Sequence, residues 1–314
     1  MKLYIALQTI LDIEAIPSLL SGNSDITHIA KNHYKPLGIN QITNYLESYK
    51  TLDTNKQELF YTDKPLKSAI KGLYFGNDTC EHLLITPIEI KKAIAYCATK
   101  KWHIVFRLPP MSENYTERYK EILEMLDSYG LEVVFNDFGA LELASNYPNI
   151  KKTLGRLFFK SQRSGFLDTF IQHDVSGEVF KAQIQNTTHC EYELQSIREF
   201  YKSLGIKRVS LENLPIKTEW LKQKPYMNVD IYYPNLFLAK SRVCESAGVL
   251  SPKAAYHPQS FCAKPCKEFI LEYDMSRYSG VFADLNAYYK TKTKIEFEKT
   301  VMKQSDARLV WEMI

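Results

Sequence analysis

The sequence predicts an α/β protein built as a TIM-like (β/α)8 barrel, incomplete or distorted, with an N-terminal insertion. Three observations carry this. Short apolar, β-forming runs alternate with helix-period segments from about residue 70 onward. Alternation at this spacing calls for parallel strands joined by right-handed crossovers, and about six to eight such units suit a barrel. Polar residues also follow the strand runs, where a barrel gathers its site. A doubly wound open sheet is the alternative. No GxGxxG or P-loop pattern stands at a strand–helix turn, which weighs against nucleotide binding.

The elements read in order as follows. MKLYIAL is a short apolar strand. Residues from about 11 to 70, rich in Asn, Thr, Ser and Lys, read as a helix-bearing insertion or flap. KGLYFG is a strand ending at Gly76. Thr86 to Lys100 forms a helix, with Thr86 as its cap, Pro87 in the first turn and Glu89 completing a capping box. WHIVFRL is a strand, and Asn114 to Tyr129 a helix closed by Gly130. LEVVFND is a strand, FGALELAS opens a helix, and LGRLFF is strand-like. EYELQSIREFYKSLG is a helix ending in Gly205, IKRVSLEN a strand, PIKTEWLKQ a short helix and VDIYYPNLFLAKSR an extended segment. The reading is one barrel domain over 1–314, the insertion within it, and a cysteine-bearing segment over 240–290.

Composition narrows the class. Of the 314 residues 45% are hydrophobic, enough for a substantial core, and Gly and Pro are too few for a fibrous or disordered chain. A net charge of +4 permits an anionic substrate or RNA without demanding either, and no basic block or RNA-reading signature appears. The opening stretch MKLYIALQTILDIEAI lacks the marks of a signal peptide, and no run reaches membrane-span length. The expected setting is cytoplasmic, with no membrane contact and with reduced thiols. Six cysteines in such a chain point to metal rather than to a disulfide framework.

Four of the six form the candidate set. Cys244, Cys262 and Cys266 fall within RVCESAGVLSPKAAYHPQSFCAKPC, and Cys80 ends KGLYFGNDTC. Four thiolates are a usual shell for an iron–sulfur cluster or a structural zinc. Two single cysteines plus a CxxxC pair suit a cluster better than zinc, whose structural sites favour two tight pairs. Cys97 shares an apolar helix face with Ile90 and Ile94 and reads as a core thiol. Cys190, at a helix start, reads as a local structural residue. Among strand-end groups, Asn136 and Asp137 after LEVVF, Glu212 after VSL and Arg107 in HIVFR are candidates to orient substrate or move a proton. Asp137 reads equally as a helix cap. Arg242, two residues before Cys244, is a candidate anion donor. His257 reads as a loop residue, and Tyr232 and Tyr233 as candidate pocket walls.

The segments LYFGNDTCEHLL, VVFNDFGALELA, LGRLFFKSQR, RVSLENLP, YYPNLFLAKSRVCES, CAKPC and EFILEYDMSRYSGV together resemble the peptidase U-thirty-two (collagenase-like) family. Within it they resemble the UbiU/UbiV-type iron–sulfur proteins. The resemblance spans about residues 70 to 290 plus the opening strand. It implies a TIM-like barrel with a [4Fe-4S] cluster on Cys80, Cys244, Cys262 and Cys266. It also implies oxygen-independent hydroxylation of a small aromatic or quinone precursor, in some members as half of a heterodimer with a related protein. Alternative readings are hydroxylation of RNA bases, peptidase activity, and a non-catalytic partner with a structural cluster. No HExxH or GxSxG supports proteolysis. The gap between Cys244 and Cys262 and the segment at about 11–70 depart from the family pattern.

Overall fold

A computed structural model describes residues 1–8, 70–160, 189–241, 243–250, 262–267, 270–272, 281–291, 301, 304 and 306–312. The segment expected as an insertion lies outside these residues up to its last position, Ile70, and Arg242 and His257 lie outside them too.

Eight parallel strands close a barrel: β1 (Lys2–Leu7), β2 (Ile70–Gly76), β3 (His103–Leu108), β4 (Glu132–Phe135), β5 (Lys151–Leu154), β6 (Arg208–Glu212), β7 (Asn228–Tyr233) and β12 (Arg308–Glu312). Strand β12 closes the ring between β7 and β1, with Trp311 opposite Tyr233 and Tyr4 opposite Val310. Among the described helices are α1 (Pro87–Lys100), α2 (Thr116–Ser128), α3 (Phe138–Leu143) and α4 (Gln195–Ser203). This is the TIM-like arrangement expected. No helix among the described residues is long and apolar enough to cross a membrane.

Strand period 2 sorts the side chains. Leu3, Ile5, Leu73, Phe75, Ile104, Phe106, Val133, Val209, Ile231 and Leu309 face outward and pack with the helices in one core. Their alternates Tyr4, Ala6, Tyr74, Val105, Val134, Tyr232 and Val310 form a separate cluster inside the barrel. The inner face therefore also carries Glu132 and Asn136, Arg208 and Glu212, and Arg308 and Glu312, each pair four residues apart across that middle layer. Gly72 makes room at the base: a Cβ there would stand 2.2 Å from the Tyr4 ring.

A second sheet interrupts the barrel sequence between β7 and β12. It is antiparallel, in the order β8 (Asn235–Lys240), β11 (Ala287–Thr291), β10 (Val281–Asp284) and β9 (Leu271–Glu272). VDIYYPNLFLAK is thus two strands in two sheets, divided at Pro234, which offers no N–H to continue a ladder. Helix α5 (Glu245–Leu250) follows β8.

Local expectations hold where the local chemistry is strong. The Thr86–Glu89 capping box forms, with Glu89 N donating to Thr86 Oγ1 at 3.3 Å and Thr86 N to Glu89 Oε2 at 2.9 Å. Gly130 and Gly205 end their helices with positive φ. Three readings shift. LGRLFF is not a strand: β5 lies upstream in Lys151–Leu154, and Phe158 and Phe159 pack against Tyr201 and Tyr192 instead. The 191–205 helix is a 3₁₀ turn, Glu191–Glu193, then α4, separated at extended Leu194. PIKTEWLKQ holds only a 3₁₀ turn, Glu219–Lys222.

Candidate functional site

The C-terminal ends of the barrel strands bring together a buried charged group. Arg156, just past β5, stands at its centre. Its Nε and Nη2 donate to Glu212 Oε1 and Oε2, each at 2.7 Å, a bidentate pair. Its Nη1 donates to Glu312 Oε1 at 2.6 Å and its Nη2 also to Asn235 O at 2.8 Å. The guanidinium lies over the Tyr232 ring at 4.3 Å, with the Phe237 and Tyr289 rings at 5.7 Å. The small sheet is therefore fastened to the barrel mouth through Arg156, and Glu212 Oε2 adds a bond from Phe237 N at 3.1 Å.

Arg107 occupies the opposite side. It pairs with Asp78 Oδ2 at 3.1 Å, approaches Glu312 Oε1 at 3.5 Å and donates to Leu7 O at 3.1 Å. Asn136 donates through Nδ2 to Asp78 Oδ1 and Leu108 O, both at 3.0 Å, and accepts from Leu157 N at 3.3 Å. Gly155 is required for this: a Cβ would fall 2.1 Å from Asn136 Oδ1. Asp137 turns away. It caps α3 by accepting from Ala140 N at 2.9 Å, and its Oδ2 accepts from Met111 N at 2.9 Å.

Burial pushes the Glu312 carboxyl up to about 7, opposed by Arg156 and Arg107. Burial also holds the Tyr232 hydroxyl protonated well above the usual phenol range. Glu312 Oε2, Tyr232 Oη, Arg107 Nε and Thr79 Oγ1 are buried with no hydrogen-bond partner among the described residues. Unpaired buried polar atoms of this kind each carry a cost of about 1–3 kcal/mol.

The cysteines converge beside this mouth. Asn77 Oδ1 accepts from Thr79 N at 3.0 Å and Cys80 N at 2.7 Å, setting a tight turn after β2. Cys80 and Cys266 pack with Leu285, in the turn between β10 and β11, and Cys244 Sγ donates to Leu285 O at 3.3 Å. The sulfurs of Cys244 and Cys262 lie close enough to Cys80 to add to the rise of its thiol, which burial pushes up to about 12. Burial raises Cys244 as well, with Cys262 adding.

Backbone N–H groups face these sulfurs: His82 and Leu83 at Cys80, Ser246 and Ala247 at Cys244, and Lys264 at Cys262 at 3.4 Å. Lys264 and Leu285 adopt left-handed φ values of 59° and 58°, an uncommon conformation for non-glycine residues that clusters at functional sites. Among the described residues no group of three or more His, Cys, Asp or Glu side chains is already arranged to hold a metal ion. Cys97 and Cys190 sit in the outer core, away from this set, and burial pushes both thiols up to about 12.

Four of the mouth groups escape a reading of the sequence as site residues. Asp78 and Thr79 are overshadowed by the neighbouring Cys80. Arg156 is hidden inside a strand-like apolar run, and Glu312 lies in a last strand that only barrel closure identifies. The polar strand-end signal did mark Arg107, and a search for charges spaced four residues apart on strands would have found Glu312.

Fold and site define the class as a TIM-like barrel with an inserted antiparallel sheet, a charged mouth and a group of cysteines where the two sheets meet. No protein-family model and no curated protein matches the chain.

Proposed function

We propose that Cys80, Cys244, Cys262 and Cys266 hold a [4Fe-4S] cluster, and that the protein acts in oxygen-independent hydroxylation of a small aromatic or quinone precursor. One observation carries the metal reading: cysteines from distant parts of the chain meet at one place, with backbone N–H groups aimed at three of the sulfurs. Four soft donors suit iron–sulfur, and N–H···S contacts are among the means by which proteins tune such clusters. The hydroxylation reading rests on the family resemblance.

A bound cluster would supply one-electron transfer. The chain's own groups hold the surroundings. Asp78, gripped by Arg107 and Asn136, ties the Cys80 turn to the barrel mouth. Arg156 and Glu212 fasten strand β8 of the small sheet, whose β10–β11 turn sets Leu285 against Cys80 and Cys266.

Anaerobic purification tests this. The expected product is brown, with about four irons and four inorganic sulfides per chain. Cys80→Ser and Cys266→Ser should each strip the iron to a similar degree. A colourless protein with one zinc per chain would overturn the cluster. A deletion strain with unchanged quinone precursors and altered RNA bases would overturn the substrate class.

A further inference from the structure

A cleft beside α4 shares no residue with the cysteine group or the barrel mouth. Gln195, Glu199, Lys202 and Ser203 line one side and Lys224 and Pro225 the other, with a volume of about 440 Å³ between them. Positions 195, 199 and 202–203 recur at helical spacing, so they share one face of α4. Lys224 and Pro225 lead into the base of β7. Lys202 and Lys224 have no ion-pair partner among the described residues. Glu199, the carboxylate of the lining, accepts from Gln195 Nε2 at 2.7 Å. Behind this wall Arg198 is fully buried. Its Nη1 donates to Tyr192 O at 2.7 Å and Glu193 O at 2.8 Å, and its Nη2 to Gln223 Oε1 at 3.2 Å and to Lys224 O at 3.4 Å. Its Nε has no partner, and no carboxylate pairs with it, among the described residues. Buried charges ordinarily sit against a counter-charge, and here neutral oxygens alone surround the guanidinium. Lys202 stands in the last turn of α4, where a cation suits the carbonyl end of a helix. That accounts for Lys202 but not for Lys224 or Arg198.

We propose that this cleft binds a small sugar phosphate through its phosphate monoester group. Arg198, Lys202 and Lys224 bring three positive charges, and Glu199 offsets one of them. The two that remain match a phosphate monoester, which carries a charge of about −1.5 to −2 near neutral pH. A carboxylate ligand leaves one of them uncompensated. The two lysines meet the phosphate oxygens as point-charge donors, and the buried guanidinium adds a fixed positive potential through the cleft wall. The cleft is larger than a phosphate group and lies within the range of about 300–1,000 Å³ usual for small-ligand sites, so it has room for the organic part. Ser203 Oγ donates to Phe200 O at 2.7 Å and so keeps its acceptor side for a ligand hydroxyl. No bond is made or broken at the site. The inference goes beyond the cluster reading, since neither a cysteine nor a mouth residue takes part.

The probe is ribose 5-phosphate, titrated calorimetrically into the full-length protein in a phosphate-free buffer at about pH 7.5, where the ester is mostly a dianion. The expected result is one ribose 5-phosphate per chain, displaced only by higher concentrations of inorganic phosphate, and no binding of ribose at the same concentrations. Lys202→Gln and Lys224→Gln should each weaken binding about five- to tenfold, whereas Lys92→Gln, on the exposed side of α1, leaves it unchanged. All three lysines are exposed, so the variants fold, and their urea midpoints without ligand check this. Raising sodium chloride to about 0.5 M should weaken binding several-fold. Saturating ester should raise the urea midpoint of the native protein and leave that of the Lys202→Gln, Lys224→Gln double variant unmoved. Absence of saturable binding, ribose held as tightly as its phosphate, or an equal loss in Lys92→Gln overturns the site. An ester held no more tightly than inorganic phosphate overturns the sugar phosphate as its ligand.

Discussion

The barrel carries two charged layers, and they are built to different standards. At the N-terminal end Arg308 clamps Glu132 through two bonds at 2.8 and 2.9 Å, and Arg208 pairs with Asp230 at 2.7 Å. Tyr74 donates to Asp230 at 2.5 Å and accepts from Arg308 at 2.8 Å, while Thr153 donates to Glu132 at 2.8 Å. Two arginines meet two carboxylates, and none of these side chains leaves a buried polar atom unpaired. At the C-terminal end Arg107 and Arg156 meet Asp78, Glu212 and Glu312, with Asp284 also nearby, and among the described residues Glu312, Arg107 and Tyr232 each leave one atom without a partner. A closed network serves stability, whereas an open one leaves capacity for something else. Strands β6 and β12 supply both layers, through Arg208 and Glu212 and through Arg308 and Glu312, four positions apart, whereas Arg156 and Asp78 enter the open layer from the turns after β5 and β2.

The largest expected effect comes from breaking the closed layer. Arg308→Leu strands the Glu132 carboxylate in the barrel base, and losing one partner of a buried ion pair costs about 3–5 kcal/mol. Urea denaturation should show that loss at neutral pH. A change below about 1 kcal/mol would mean that Arg208, 3.7 Å from Glu132, takes over the pairing.

Proton linkage sharpens the contrast next. Glu312 is pushed from an ordinary 4.5 up to about 7, so the native state keeps a proton that the unfolded chain releases. Stability therefore falls as pH rises from about 4.5 to 7, by on the order of 3 kcal/mol in total, and levels off above that. In the closed layer the linkages oppose each other. Arginine contacts hold Glu132 below its usual range despite burial, and burial lifts Asp230 above its own. Glu312→Gln should flatten the limb between about 4.5 and 7, read as urea midpoints at stepped pH. An unchanged slope in the variant would place the titrating group elsewhere.

Much of this arrangement is legible where short-range chemistry decides it. The capping box at Thr86, the glycine stops at 130 and 205, and the short apolar, β-forming runs MKLYIAL and WHIVFRL need no partner to be read. The four cysteines are legible as a set because their type and spacing are unusual, and Asn136 and Glu212 because polar residues end apolar strands. What is not legible depends on closure. β5 begins with Lys151 and Lys152 and becomes a strand because β4 and β6 flank it, while the more apolar LFF beside it packs elsewhere. RLVWE becomes the eighth strand only because β7 and β1 leave a gap for it, after the inserted sheet. Glu312, which distinguishes the open layer from the closed one, becomes readable only through that non-local pairing.

The smallest effect tests whether the open layer and the cysteine turn are one mechanical unit. Asn136 reaches Asp78 across the space above Gly155, and Asp78 lies two residues before Cys80. Gly155→Ala places a methyl group 2.1 Å from Asn136 Oδ1, so the amide must swing away or the backbone must shift. Such crowding costs about 1–3 kcal/mol. If the amide gives way, Asp78 loses one of its two grips and keeps only Arg107 at 3.1 Å, loosening the turn that presents Cys80. The expected outcome is a modest fall in urea midpoint together with faster alkylation of Cys80 under native conditions, followed by peptide mass mapping. Arg308→Leu sets the comparison: compared at equal residual stability, it should leave Cys80 alkylation slower than in Gly155→Ala. Equal rates in the two variants would show that Cys80 responds to global opening alone, and that the mouth and the cysteine turn are not linked through Asp78.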